Sequence, residues 1–177
     1  MIKITKPKIE DVKGIANVTV KTWQHAYRGL INEDYLKNLS IKKRTDSFKK
    51  QLSSDSSDFI CFIAKKNDKI VGLIWGGKNR EQNSKYDAEI YGYYILPKYH
   101  GKGIGRKLFS AFAAEALKLG MKNMSLWCLH GNDTAKIYVH FGGKYIKSKM
   151  VEIPKNSGQE YQEDMYAFAQ LKRLVKI

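Results

Sequence analysis

Residues 94–108 read YILPKYHGKGIGRKL, and the rest of the chain is best interpreted outward from them. The strand-like residues at its start stop at Pro97, and Gly101, Gly103 and Gly105 then alternate at the mouth of a helical pattern. Residues without a Cβ let backbone N–H groups turn inward and approach an anion closely. A helix start adds unpaired N–H donors and the positive end of the dipole. Lys102, Arg106 and Lys107 reinforce that field, so the loop reads as a phosphate cradle. Two common phosphate loops do not fit. A dinucleotide fingerprint needs its third glycine one place later, where Arg106 stands, and an acidic residue about 20 positions on, which 123–128 lacks. A Walker loop needs Gly-Lys followed by Ser or Thr, and that is absent too. Taken alone, the loop is either an anion site or a plain glycine turn.

Upstream of the loop, 88–96 (AEIYGYYIL) is a strand that Pro97 ends. Before it, 59–65 and 70–76 are rich in β-branched and aromatic residues and form a hairpin about Asn67-Asp68. Segment 2–6 alternates as a short strand. Pro7 opens a helix whose apolar positions Ile9, Val12, Ala16, Val20, Trp23 and Tyr27 recur every three or four residues until Gly29. A second, polar helix spans about 32–53 and runs into the serine-rich turn at 53–58. Downstream, a helix over 103–119 places Ile104, Leu108, Ala111, Phe112 and Leu119 on one face, and Gly120 closes it. A buried strand at 123–129 follows. Asn132 then caps a short helix ending at Gly142-Gly143, and two strands, 144–153 and 160–169, flank a turn at Asn156-Ser157-Gly158. The strand, glycine loop, helix and strand in the middle require a parallel pair, whereas the hairpins are antiparallel. The expected fold is α/β (α+β): a mixed, mostly antiparallel sheet of about seven strands with helices on both faces, in one domain over 1–177.

Composition narrows the function classes. The 177 residues carry 32 Lys and Arg against 17 Asp and Glu, a net charge of +15 that favours anionic partners. The basic residues are scattered and belong to no helix-turn-helix or zinc motif, so nucleic acid is not expected as a partner. No apolar run is long enough to cross a membrane, and the first residues lack the apolar core of a signal peptide. Cys61 and Cys128 lie in apolar runs without paired-ligand spacing and read as free thiols. His25, His130 and His140 show no ligand spacing either. The expectation is a cytoplasmic protein without a metal.

The segment Glu89–Leu108 resembles motif A of the Gcn5-related N-acetyltransferases (GNAT), whose loop reads Gln/Arg-x-x-Gly-x-Gly/Ala. Gly103 and Gly105 fill the glycine places, and His100 departs from the usual first residue. The stretch Asn132-Asp-Thr-Ala-Lys-Ile-Tyr-Val-His-Phe-Gly-Gly resembles motif B, with Tyr138 four residues before Gly142. Trp23, Tyr27-Arg-Gly-Leu and Tyr35-Leu resemble the first helices of a bacterial branch. The resemblance implies the acyl-CoA N-acyltransferase fold, with acetyl-CoA as cosubstrate and an amine as acceptor. It implies that the amides of Gly101, Lys102, Gly103, Ile104, Gly105 and Arg106, beside His100, hold the CoA pyrophosphate. The strand 88–96 would then splay from its neighbour, leaving the backbone of Tyr94, Ile95 and Leu96 for the pantetheine arm. Asn132 aligns with the cofactor-side asparagine of motif B.

Acetyl transfer requires that an ammonium lose a proton, that the thioester oxygen be stabilised and that the departing thiolate be protonated. The spacing suggests no Cys/His or Ser/His/Asp constellation, so direct attack is expected over an acyl-enzyme. Tyr138 is the candidate general acid. Glu89, eleven residues before His100, is the candidate base, expected to share a strand face with Tyr91, Tyr93 and Ile95. Trp23, Tyr27 and Tyr91 are candidate acceptor residues, although core packing would also explain the first two. The other readings are a catalytically silent CoA-binding module and, more remotely, a basic nucleic-acid-binding protein. A homodimer is compatible with the sequence, which leaves the acceptor open.

Overall fold

The computed structural model describes residues 1–54 and 57–175, so part of the expected serine-rich turn, residues 55 and 56, lies outside the described residues. The order is β1 (Ile2–Thr5), α1 (Val12–Ala26), α2 (Glu33–Lys37), α3 (Ile41–Leu52), β2 (Ile60–Lys66), β3 (Lys69–Lys78) and β4 (Ala88–Ile95). Then come α4 (Ile104–Lys118), β5 (Met124–Leu129), α5 (Ala135–His140), β6 (Lys144–Glu152), β7 (Glu160–Phe168) and α6 (Leu171–Leu174). The strands form one seven-stranded sheet in the order β1-β2-β3-β4-β5-β7-β6. Only β4 and β5 pair in parallel, and the expected architecture stands.

Local chemistry accounts for most boundaries. Asn67 and Asp68 both adopt positive φ, as a two-residue hairpin turn requires, and let β2 return directly as β3. The expected helix over 32–53 is two helices. Asn32 caps α2 by accepting from the Tyr35 amide at 2.9 Å, and Ser40 caps α3 by accepting from the Lys43 amide at 3.2 Å. Two N-caps eight residues apart leave room for only one short helix between them. The helix expected from Pro7 begins as a 3-10 turn at Ile9–Asp11, and Ile9 stays largely exposed. Leu119 is likewise exposed, while Phe109, Ala113 and Ala116 are the buried residues of α4 that the expected face omitted.

The two sheet faces carry separate cores. Ile15 and Val18 of α1 and Phe48 of α3 pack on Ile63 and Leu73. On the other face Leu108, Phe109 and Phe112 of α4 pack with Ala64, Ile74 and Ile90. Leu171 and Leu174 of α6, an element the sequence reading missed, join that second core.

Candidate active site

The parallel pair is short. β4 and β5 are in register only from Ala88↔Met124 to Ile90↔Leu126, although β4 runs on to Ile95 and β5 to Leu129. Beyond that point the strands part, and a cleft of about 580 Å³ opens between them. It is walled by α1 on one side and by the glycine loop, α4 and α5 on the other.

A bulge in β4 sits where the strands part. Trp75 pairs with Gly92 and Gly76 with Ile90, which leaves Tyr91 as an extra residue. The side-chain alternation therefore shifts. Ile90, Tyr93 and Ile95 lie in the core under α4, where the Tyr93 ring meets Phe109 edge-on at 4.9 Å. Tyr94 points the other way, 5.4 Å from Trp75, and accepts from the Trp23 indole at 2.7 Å. Glu89 thus does not share a face with Tyr93 and Ile95 as expected, because the extra residue reverses the period between them.

In the loop, Gly101 and Gly103 have φ of +71° and +70°, and a Cβ at either would meet nothing within 4 Å. These two glycines are there for their backbone conformation. Gly105 has a different reason: it lies in the first turn of α4, where a Cβ would collide with the Tyr93 hydroxyl. The amides after Gly103 are the first of α4 and lack intrahelical acceptors, and Ile104, Gly105 and Arg106, which carry them, border the cleft. The His100 ring sits 2.9 Å from the Ile95 carbonyl oxygen and ties the loop to the end of β4. Tyr94, Ile95, His100, Gly101, Gly103, Ile104, Gly105, Arg106 and Asn132 all border the cleft. Leu96 and Lys102 do not: the Leu96 amide is bonded back to Val71 of β3, and the Lys102 ammonium lies over Tyr99. Asn132 spends its side-chain oxygen on the Thr134 amide at 2.9 Å, shaping the entry to α5.

Tyr138 of α5 is buried against Tyr93 and Phe109, and its hydroxyl makes no hydrogen bond to a described residue. Burial, helped by the neighbouring Cys128, raises its pKa well above the phenol range, so the group stays protonated. Burial also pushes the Cys128 thiol up to about 12, which removes it as a nucleophile near neutral pH. On the α1 side Trp23 packs edge-on against Tyr27 at 4.9 Å. The Thr22 hydroxyl, buried in the cleft wall, has no hydrogen-bond partner among the described residues.

Glu89 and the cleft are separated. Both Glu89 carboxylate oxygens are held by the Arg80 guanidinium, and the Arg80 amide donates to Oε2 at 3.1 Å. Arg80 in turn lies 4.2 Å over the ring of Tyr91, whose hydroxyl donates to the Lys78 carbonyl at 2.6 Å. With both oxygens engaged by Arg80 and no border on the cleft, this carboxylate is poorly placed to meet an acceptor amine. The one carboxylate among the described residues bordering the cleft is Glu163 of β7, which the sequence reading missed. Burial raises its pKa, and Lys149, whose ammonium is 4.0 Å away, only partly offsets this.

Among the described residues no group of three or more His, Cys, Asp or Glu side chains is arranged to hold a metal, and no helix is long and apolar enough to cross a membrane.

Residues 24–142 match the family model described as the acetyltransferase (GNAT) family. The chain belongs to the GNAT acetyltransferase family. As a GNAT protein it is an N-acetyltransferase. It is 28% identical over 153 residues to the uncharacterized N-acetyltransferase YuaI of Bacillus subtilis (strain 168), covering 86% of each chain. Among solved structures it resembles the PaiA N-acetyltransferase of Thermoplasma acidophilum, in complex with coenzyme A, at TM-score 0.70 and 21% identity, covering 93% of this chain and 98% of that one. It also resembles YncA of Salmonella typhimurium, a putative acetyltransferase with acetyl-CoA, at TM-score 0.67 and 20% identity, covering 96% and 94%. These GNAT likenesses establish the fold that the cleft geometry already indicated.

Proposed function

We propose that this protein transfers the acetyl group of acetyl-CoA directly to a primary amine of a small molecule or peptide. The observation that carries the reading is the junction of two features: amides at the head of α4, made available by Gly101 and Gly103, open into the gap where β4 and β5 part. An anion at the loop and an extended arm between the strands match the two ends of CoA. The complexes of the two fold relatives with coenzyme A and acetyl-CoA support the same ligand.

In the reaction the acceptor ammonium gives up a proton and its nitrogen lone pair attacks the thioester carbon. The C–S bond then breaks, the second amine proton is released, and the departing sulfur takes a proton from Tyr138. The Tyr138 phenolate recovers a proton from solvent, so the net products are the amide, CoA thiol and one proton. A phenol kept protonated by burial suits the role of acid. Glu89 is engaged by Arg80 away from the cleft, and Glu163, the carboxylate that borders it, would receive the amine proton.

Calorimetric titration with acetyl-CoA, followed by thiol release against a panel of primary amines, tests the reading. Binding with amine-dependent release that Tyr138→Phe abolishes would support it. Binding without release from any amine would point to a silent CoA-binding module, and absence of binding would overturn it.

A further inference from the structure

Lys149 belongs to β6, which β7 and β5 separate from the cleft, yet its ammonium ends at the cleft's rim. Strand register sets Lys149 opposite Glu163 of β7, and Glu163 opposite Leu129 of β5. Cross-strand partners stand on the same face of a sheet, so the Lys149 side chain can run back over β7 toward β5. Its ammonium rests 3.8 Å from the centroid of the Trp127 ring, on β5, and 4.0 Å from a Glu163 carboxylate oxygen. β6 and β5 are two strand spacings apart, about 10 Å, and the two side chains close that distance. Trp127 and Glu163 both border the cleft where β4 and β5 part.

Lys147, two residues earlier on the same face, is the natural comparison. Its ammonium is bound to Glu81 at 2.6 Å and stands 5.9 Å from the Trp127 centroid. Lys149 has no such tight partner: among the described residues its one ion-pair contact is the 4.0 Å approach to Glu163. An ammonium over an aromatic face is held by the ring quadrupole without committing its N–H groups to a hydrogen bond. Its side chain is 45% exposed, so it can swing toward the cleft without disturbing the core. Burial raises the pKa of Glu163, although Lys149 and Arg80 oppose the rise, and a raised carboxylate is a better proton acceptor near neutrality.

We propose that Lys149 is a modification site of the protein's own reaction: with acetyl-CoA in the cleft, the Lys149 ε-amine is acetylated within the same molecule. The inference rests on the acetyl-transfer reading above and assigns it one amine. Glu163 takes a proton from the Lys149 ammonium, and the freed lone pair attacks the thioester carbon. The C–S bond breaks, the sulfur takes a proton from Tyr138, and the second amine proton leaves to solvent as the amide forms. Tyr138 recovers its proton from solvent, so the products are acetyl-Lys149, CoA thiol and one proton. Acetylation removes the charge of Lys149 and with it both the cation over Trp127 and the ammonium beside Glu163.

The test is incubation of the full chain with acetyl-CoA and no added amine, followed by intact-mass measurement and peptide mapping of every lysine. Lys149 is expected to gain an acetyl group about tenfold or more faster than Lys147, at a rate independent of protein concentration, as an intramolecular reaction requires. In Glu163→Gln and in Tyr138→Phe the Lys149 rate should fall to that of the other lysines, whose uncatalysed labelling is the internal background. The two variants lie on different elements, so one remains readable if the other fails to fold. Equal labelling of Lys147 and Lys149, Lys149 labelling that survives either folded variant, or a rate that grows with protein concentration would overturn the proposal. Calorimetry with acetyl-CoA and turnover of the amine panel separate it from the transfer reading. Turnover of free amines with Lys149 unlabelled would remove this inference alone. Lys149 labelling without turnover of any free amine would uphold it and remove the small-molecule or peptide acceptor, whereas absence of acetyl-CoA binding would remove both.

Discussion

The Trp23 indole N–H donates a 2.7 Å hydrogen bond to the Tyr94 hydroxyl, joining α1 to β4 across 71 residues of sequence at the wall of the cleft. Trp23→Phe keeps an aromatic ring against Tyr27 but leaves the buried Tyr94 hydroxyl short of a partner. The expected cost is about 1–2 kcal/mol in denaturant unfolding, with acceptor KM rising more than kcat falls. An unchanged midpoint and KM would show that the bond orders neither the fold nor the site.

Gly105 and Tyr93 form a second testable pair. Gly105→Ala places a methyl against the Tyr93 hydroxyl and should destabilise by about 1–3 kcal/mol and weaken acetyl-CoA binding. With that hydroxyl removed, the nearest atoms to the new Cβ are Tyr93 Cζ at 3.3 Å and Ile95 Cδ1 at 3.5 Å, a fit that needs little movement. The double variant with Tyr93→Phe should therefore recover most of the loss, a non-additive result read by a double-mutant cycle. Additive losses would place the role of Gly105 in its backbone instead.

Tyr138→Phe should lower kcat by about 10²–10⁴-fold while leaving acetyl-CoA affinity and the unfolding midpoint near wild type. The hydroxyl bonds to no described residue, so its loss costs the fold little. Because burial raises its pKa, any alkaline fall in rate due to this group should lie above the ordinary phenol value of about 10. Full activity in the variant would assign thiolate protonation to water.

Glu163 carries a linkage prediction. Its folded-state pKa is raised, first by burial, with Glu89 adding and with Lys149 and Arg80 opposing. The folded state then binds more protons than the unfolded chain above the ordinary glutamate value of about 4.3, so this group lowers stability as pH rises through that window. Glu163→Gln should accordingly be more stable than wild type at pH 7, an advantage that disappears below about pH 4, while its kcat/KM falls. Thermal unfolding at the two pH values checks it. A variant less stable at pH 7 would mean that the Lys149 contact outweighs the burial.

Much of this was legible in the chain because it depends on near neighbours. The glycine loop, the Asn67-Asp68 hairpin and the short motif around Tyr138 are local patterns, and the structure places each beside the cleft or at the expected turn. The polar stretch 32–53 was read as one helix because its periodicity is loose, and the two caps at Asn32 and Ser40 carried the missing signal. The tail at Leu171–Leu174 gave a single turn, too short for any period to register.

The sequence by itself determined the seven strands and the glycine-loop helix, since side-chain period and turn chemistry act within a few residues, and its resemblance to the family's motif B picked out Tyr138. Which carboxylate borders the cleft was decided only by the tertiary structure. The bulge at Tyr91 exists only relative to β3, and it reverses the faces on which Glu89 and Tyr93 lie. Arg80, nine residues before Glu89, closes on it only once β3 and β4 pair. Glu163 reaches the cleft because β7 pairs with β5, setting it opposite Leu129 beside the gap. Register between strands distant in sequence sets all three, and a one-residue shift in register moves a side chain to the opposite face of a sheet.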